Sequence, residues 1–156
     1  MKAWKVYVFW VVLAEGVGAL SGFLTRDGIK AYTQSVSQPP LAPPPWVFPI
    51  VWGILFALMG IGAARVYLSA PGPDRRRGLV LFGAQLLVNF LWSLIFFNLQ
   101  AFALAFVWLL LLWVLVLLML LTFRRVDPVA GWLQLPYLLW VSFAGYLTLG
   151  VWLLNR

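Results

Sequence analysis

The sequence contains no cysteine and no histidine, and it has only four acidic residues: Glu15, Asp27, Asp74 and Asp127. The absence of cysteine excludes disulfides and thiolate metal sites. The absence of histidine removes the most common zinc and haem ligand, and the side chain that moves protons near neutral pH. Acid–base and metal chemistry therefore have few candidate residues, and any chemistry would fall to aromatic rings or to a bound small molecule.

Charged residues are also scarce, at 10% of the 156 residues, while hydrophobic residues make up 64%. A soluble domain needs roughly 25% charged residues to cover its surface, so the outer surface of this chain must face lipid. Because a spanning helix needs about 20 apolar residues, the sequence predicts an all-α membrane protein with one domain, residues 1–156. The five predicted transmembrane helices cover residues 4–24, 46–68, 79–97, 101–123 and 129–154. The first is too long for a signal peptide and lacks a clear cleavage site, which indicates a retained helix.

The net charge is +7. Cationic loops beside membrane helices explain this balance, and no basic polar face interleaved with aromatic residues supports nucleic-acid binding. With five crossings, eight of the eleven basic residues lie on one side, and Arg26, Lys30 and Arg156 lie on the other. The positive-inside rule then predicts a cytoplasmic N-terminus, with the first loop and the C-terminus facing outward.

The segment from Thr25 to Pro45 separates the first two predicted helices and ends in the run QPPLAPPP, which begins at Gln38. Proline lacks an N–H group and fixes φ, so this run predicts a stiff, partly extended loop. A plain connector rarely needs about 20 residues. Two interpretations stay open, a lid over the helices and a simple linker, and we favour the lid.

Three polar side chains fall at membrane depth, where polar groups are costly. Glu15 lies midway along the first helix, either as a partner for a ligand or ion, or as a protonated or hydrogen-bonded group. We favour the second interpretation. Gln85 and Asn89 are spaced i,i+4 and share a helix face with Trp92 and Phe96. That face fits a polar edge of a ligand pocket or interhelical hydrogen bonds equally well.

Aromatic residues are abundant, with ten Trp and twelve Phe, and they form stripes. Phe48, Trp52 and Phe56 share a face of the second helix at i,i+4 spacing. Another shared face, on the fifth helix, consists of Tyr137, Trp140, Ala144 and Leu147. Trp52 and Trp140 lie deeper than the Trp residues at helix ends, which anchor helices at the interface. The two deep tryptophans are therefore pocket candidates, although ordinary packing also explains any single one.

Three blocks resemble the TspO/MBR family, the tryptophan-rich sensory proteins of bacteria and the related mitochondrial translocator protein. The blocks are QPPLAPPPWVFPIVW from Gln38, AQLLVNFLW from Ala84 and LPYLLWVSFAGYL from Leu135. Their order and spacing match the family over nearly the whole chain. The resemblance implies a five-helix bundle in a bacterial cell membrane, a homodimer, and a pocket beneath the first loop. It implies that the pocket is lined by Trp52, Phe56, Gln85, Asn89, Phe96, Tyr137, Trp140, Phe143, Ala144 and Leu147.

The resemblance also implies the ligands, which in the family are porphyrins, isoquinoline-type drugs and, in animals, cholesterol. The animal cholesterol motif needs a basic residue within about five positions of a tyrosine, and after Tyr146 the next is Arg156. Many relatives have lysine where this chain has Gln38, which removes a contact for a porphyrin carboxylate. Arg26 and Lys30 in the first loop are left to attract such carboxylates.

These features predict a membrane binding and sensory protein for porphyrins or other planar lipophilic ligands, with no obligatory cofactor and no metal site. Metal-free porphyrin should be preferred over haem because no histidine or cysteine is available to bind iron. Light- and oxygen-dependent porphyrin breakdown is the second hypothesis, in which Trp52 and Trp140 match the tryptophans that the family implicates. Transport ranks third, since the five spans show no internal repeat of the kind common in transporters.

Overall fold

The computed structural model describes residues 2–156, and the regular secondary structure of this part of the chain is entirely helical, with no strand. Five helical segments are long and apolar enough to cross a membrane. In chain order the helices are α1 (Ala3–Leu24), α2 (Arg26–Ser35), α3 (Val47–Tyr67), α4 (Pro73–Ser93), α5 (Phe102–Val126), α6 (Pro128–Trp132) and α7 (Leu135–Asn155), and α4 continues into a π-helical turn, Leu94–Asn98. The predicted five-helix membrane fold is therefore confirmed.

Two boundaries differ from the sequence prediction. The segment Thr25–Pro45 is not all loop, because its first half forms α2. The third spanning helix begins at Pro73, not at residue 79, so the three consecutive arginines from Arg75 lie in its first turns and not in a loop. Pro73 stands at the first helical position, where its missing N–H and fixed φ suit a helix start.

The fifth span consists of two helices, α6 and α7. The chain turns at Leu133 and Gln134 between α6 and α7, and Pro136 lies in the first turn of α7. Proline is tolerated there, because the first N–H groups of a helix have no intrahelical partner. The very short turn predicted around Asn98–Gln100 is present, with Gln100 in a left-handed conformation at φ 49°.

The core lies where α3, α4 and α5 meet, and its fully buried side chains include Met59, Phe82, Leu112, Met119 and Phe123. The outer faces of the spanning helices expose many large apolar side chains, as expected for contact with lipid.

Close backbone packing joins α1 to α3 at Gly60. A Cβ atom at Gly60 would lie 2.5 Å from Cα of Val11, so the two backbones are too close for any side chain there. Small residues commonly allow this approach between membrane helices. Gly18 and Gly22, which form a GxxxG pair, do not mediate such a backbone contact. Gly18 faces the ring of Phe56, and nothing lies within 4 Å of a Cβ at Gly22.

Replacing Gly60 by alanine should therefore push α1 away from α3. Overpacking of this kind costs about 1–3 kcal/mol of stability, and we expect a lower thermal unfolding midpoint in detergent. Gly83→Ala on α4 is the matched control, because a Cβ there meets no atom within 4 Å. An equal midpoint for the Gly60→Ala and Gly83→Ala proteins would contradict this packing.

Candidate ligand-binding cavity

A cavity of about 550 Å³ opens between α1, α3, α4 and α7, beneath α2 and the proline-rich segment. Its wall is mainly apolar. The lining residues are Glu15, Gly18, Ala19, Ser21, Gly22, Thr25, Ile29, Tyr32, Thr33, Gln38, Pro43, Pro45, Phe48, Pro49, Trp52, Gly53, Phe56, Asn89, Trp92, Ser93, Phe96, Phe97, Trp140, Ala144, Leu147 and Thr148.

Aromatic rings from three helices form most of the wall. Trp52 and Phe56, one turn apart on α3, lie with their ring centroids 5.6 Å apart. Trp92 stacks on Phe96 at 5.0 Å, with only 20° between the ring planes. Phe48 meets Trp140 of α7 edge to face at 5.9 Å. Such rings present broad, flat and rigid apolar surfaces, so the cavity suits a flat apolar guest.

Gly18 allows the ring of Phe56 to rest on the backbone of α1. A Cβ at Gly18 would come within 2.5 Å of that ring. The absence of a side chain at this position therefore sets where the aromatic wall lies relative to α1.

A buried hydrogen-bond chain lies behind the wall and joins α4 to α7. The amide Nδ2 of Asn89 donates to the hydroxyl of Tyr137 at 2.7 Å, and that hydroxyl donates to Oε1 of Gln85 at 2.6 Å. Gln85 and Tyr137 are fully buried and do not line the cavity. The interhelical interpretation of Gln85 and Asn89 is therefore the one that the structure supports, although Asn89 also reaches the wall.

Residues 36–46, which we call the lid segment, form hydrogen bonds to side chains of α7. The Asn155 side chain donates from Nδ2 to the Ser37 carbonyl at 2.8 Å and accepts from the Ser37 N–H at 3.0 Å. The Tyr146 hydroxyl donates to the Pro40 carbonyl at 2.7 Å. The ring of Pro39 packs against Gly150, where a Cβ would lie 2.6 Å away. The lid segment is thus fastened over the cavity, as the lid interpretation requires.

Helix α2 closes the cavity on the side of the π-helical turn. Tyr32 packs against Phe96 at 5.2 Å and against Phe97 at 5.4 Å. Burial raises the pKa of Tyr32 to about 12, so its phenol stays neutral at physiological pH. Gly28 lies so close to the Phe97 carbonyl that a Cβ would be 2.6 Å from its oxygen. The turn and α2 are therefore packed as one unit.

Most of the side chains that the sequence assigned to a pocket do line this cavity: Trp52, Phe56, Asn89, Phe96, Trp140, Ala144 and Leu147. Gln85 and Tyr137 lie behind the wall, as described above. Phe143 lies outside the lining and packs between Trp140, at 5.6 Å, and Tyr146, at 6.2 Å.

The two basic residues expected to attract a ligand, Arg26 and Lys30, are not part of the lining. Arg26 instead donates to the Phe23 carbonyl at 2.6 Å and lies over the Phe23 ring. Within residues 2–156, no cluster of acidic side chains is arranged to hold a metal ion.

Apart from Glu15, for which a ligand-binding interpretation was left open, the sequence analysis did not assign residues of α1 to the wall, and it missed α2. Glu15, Gly18, Ala19 and Gly22 line the cavity from α1, and their i, i+3, i+4, i+7 spacing marks one helix face. This spacing can be recognised in the sequence, but the small residues on this face gave no reason to assign a ligand to it.

The Asn155 contacts predict how firmly the lid segment is held. Asn155→Ala removes both bonds to Ser37, so backbone N–H groups in residues 36–46 should exchange with solvent faster, by about fivefold or more. Hydrogen–deuterium exchange of the protein in detergent measures this. Arg156→Ala is the control, because Arg156 lies over the Trp152 ring and makes no bond to the lid segment. Unchanged exchange in the Asn155→Ala protein would refute the fastening.

Comparison with known proteins adds independent information. The family model described as TspO/MBR family matches residues 10–153. The "Tryptophan-rich protein TspO" of Chlorobaculum tepidum is 38% identical over 92% of this chain and 91% of its own length. The "Translocator protein" of Bos taurus is 31% identical, covering 98% of this chain and 92% of the relative. The "Tryptophan-rich sensory protein" of Cereibacter sphaeroides is 32% identical over 90% of this chain and 85% of that protein.

Proposed function

Because the chain belongs to the TspO/MBR family, we propose that this integral membrane protein binds and senses flat lipophilic molecules of the porphyrin class. The aromatic cavity beneath the lid segment carries the proposal. Small-molecule sites are mostly apolar clefts of roughly 300–1,000 Å³ with a few polar groups, and the cavity of about 550 Å³ has this character. The sensory and translocator names of the relatives agree with a ligand-binding role.

The shape of the wall favours a planar guest. The stacked pair Trp92–Phe96 and the tilted pair Trp52–Phe56 offer ring faces and edges from two helices. A macrocycle gains both apolar burial and offset stacking against such rings. We propose that the guest is metal-free in preference to haem, since the sequence has no histidine or cysteine to bind iron.

Two claims can be tested together: that the protein binds porphyrin, and that it prefers the metal-free ring over haem. The purified protein in nanodiscs is titrated with protoporphyrin IX and with haem, and binding is followed by quenching of tryptophan emission and by the Soret band. We expect saturable binding of protoporphyrin, with haem bound no more tightly. Ala144→Phe fills space beside the wall and should weaken protoporphyrin binding about tenfold. Ala103→Phe, a matched change at an exposed position of α5, should leave it unchanged.

Two outcomes would count against the proposal. Equal protoporphyrin affinity in the Ala144→Phe and Ala103→Phe proteins would place the ligand elsewhere. Tighter haem binding, with a Soret spectrum typical of protein-bound iron, would overturn the preference for the metal-free ring.

Light-dependent breakdown of the bound porphyrin is a second candidate, favoured by one observation. Trp52 and Trp140, the two tryptophans expected to take part, both line the cavity. If they react with the excited ligand, Trp140→Phe should slow aerobic bleaching of porphyrin under light severalfold. Trp132→Phe is the control, because Trp132 is exposed on α6 and stacks with Arg124. Equal bleaching rates in the parent and the Trp140→Phe protein would leave binding alone as the function.

The distribution of basic residues supports a proposed orientation. The basic ends of α4 and α5, with Arg75 to Arg77 and Arg124 and Arg125, favour the cytoplasmic side. The lid segment would then face outward. We also propose a homodimer in a bacterial cell membrane, as in the family.

A further inference from the structure

Glu15 is the one charged residue in the lining of the cavity. It lies near the middle of α1, at membrane depth. Within the described residues 2–156 its carboxyl makes no hydrogen bond and no ion pair with another part of the protein. Glu15 is partly buried, and an ionisable group at membrane depth that lines a cavity and has no protein partner is a candidate for binding a ligand.

The surroundings of Glu15 leave room for a ligand group to reach it. Gly18, Ala19 and Gly22 follow it on the same face of α1 and also line the cavity. Their side chains are absent or small, so the path along the α1 wall to the carboxyl is not blocked by long side chains. The nearby Ser21 is turned inward and buried, and its carbonyl accepts from the Thr25 hydroxyl at 2.7 Å.

The lining therefore contains an acidic side chain and no basic one. No lysine or arginine lines the cavity, and the basic residues of α2, Arg26 and Lys30, lie outside it. A ligand carboxylate placed beside Glu15 would bring a second negative or acidic group next to it with no cation in the lining, which costs free energy, so a porphyrin would turn its carboxylate edge away from Glu15. A basic nitrogen would find a carboxyl partner, and charge-assisted hydrogen bonds of this kind are about twice as strong as neutral ones.

We propose that Glu15 makes the cavity selective for flat aromatic ligands that carry a basic nitrogen, over neutral ligands of the same shape. The inference rests on the proposed function, since it assumes that flat lipophiles occupy the cavity. A carboxylic acid and a neutral amine can enter the site uncharged. One proton then passes from the Glu15 oxygen to the nitrogen, and the carboxylate and ammonium remain paired by a hydrogen bond.

Three probes share the pyrene ring and differ only in their polar group, so a comparison of their affinities separates the effect of ligand charge from that of ligand shape. They are 1-pyrenemethylamine, 1-pyrenemethanol and 1-pyrenecarboxylic acid. Binding to the full-length protein in phosphatidylcholine nanodiscs is followed by quenching of tryptophan emission, with protein-free nanodiscs correcting for partition into lipid. We expect the amine to bind about tenfold more tightly than the alcohol. The acid should bind most weakly of the three.

Glu15→Gln keeps the size of the side chain and removes its charge. In this variant the amine should bind only as tightly as the alcohol, while retained alcohol binding shows that the cavity is intact. Asp74→Asn is the matched control, because Asp74 pairs with Arg77 at an exposed site at the start of α4. The Asp74→Asn protein should keep the full preference for the amine.

The outcomes distinguish this inference from the function on which it rests. Equal affinities for amine and alcohol in the parent protein, or a preference that survives in Glu15→Gln, would overturn the role of Glu15 while leaving a cavity for flat lipophiles. Failure of all three probes to bind would overturn both. Equal affinities for amine and alcohol in the parent protein would overturn the inference even if the Glu15→Gln protein does not fold.

Discussion

At membrane depth no water is present to satisfy a polar backbone group, and the structure follows from this constraint. A helix satisfies its backbone N–H and C=O groups by hydrogen bonds within the same segment, and the spanning parts of residues 2–156 are therefore helical. The same constraint accounts for the chain of bonds from Asn89 through Tyr137 to Gln85, in which three deep polar side chains satisfy one another. Irregular backbone is left to the lid segment and the short turns.

A cavity can persist in this bundle because its two sides are held in different ways. On one side, α3, α4 and α5 are packed around a dense core that includes Met59 and Phe123. On the other, the lid segment is fastened by Tyr146 in the middle of α7 and by Asn155 at its end. Aromatic rings stacked on one another, such as Trp92 on Phe96, hold the wall between these regions. The space between them is kept open by rigid rings and by small residues such as Gly18.

Residue patterns in the sequence predicted much of the fold and part of the candidate site. Apolar length predicted the five spans, and i,i+4 spacing placed Trp52 with Phe56 and Trp140 with Ala144 on shared faces that do line the cavity. The same spacing could not distinguish Gln85 from Asn89, because both point to one face while only packing decides which of them reaches the wall. Phe143 was assigned through the family alone and lies outside the lining. Helix α2 was missed because the polar segment Thr25–Pro45 was interpreted through its prolines, which occupy only its second half.

The sequence by itself determined that this chain crosses a membrane in five helices and belongs to one family, because hydropathy and proline-rich motifs are properties of neighbouring residues. Only the tertiary structure decided which side chains meet. It showed that Glu15 faces the cavity, that Arg26 does not, and that Ser37 is held by Asn155, 118 positions away along the chain. Such contacts depend on how helices pack against each other, and local spacing along one helix carries no information on its partners.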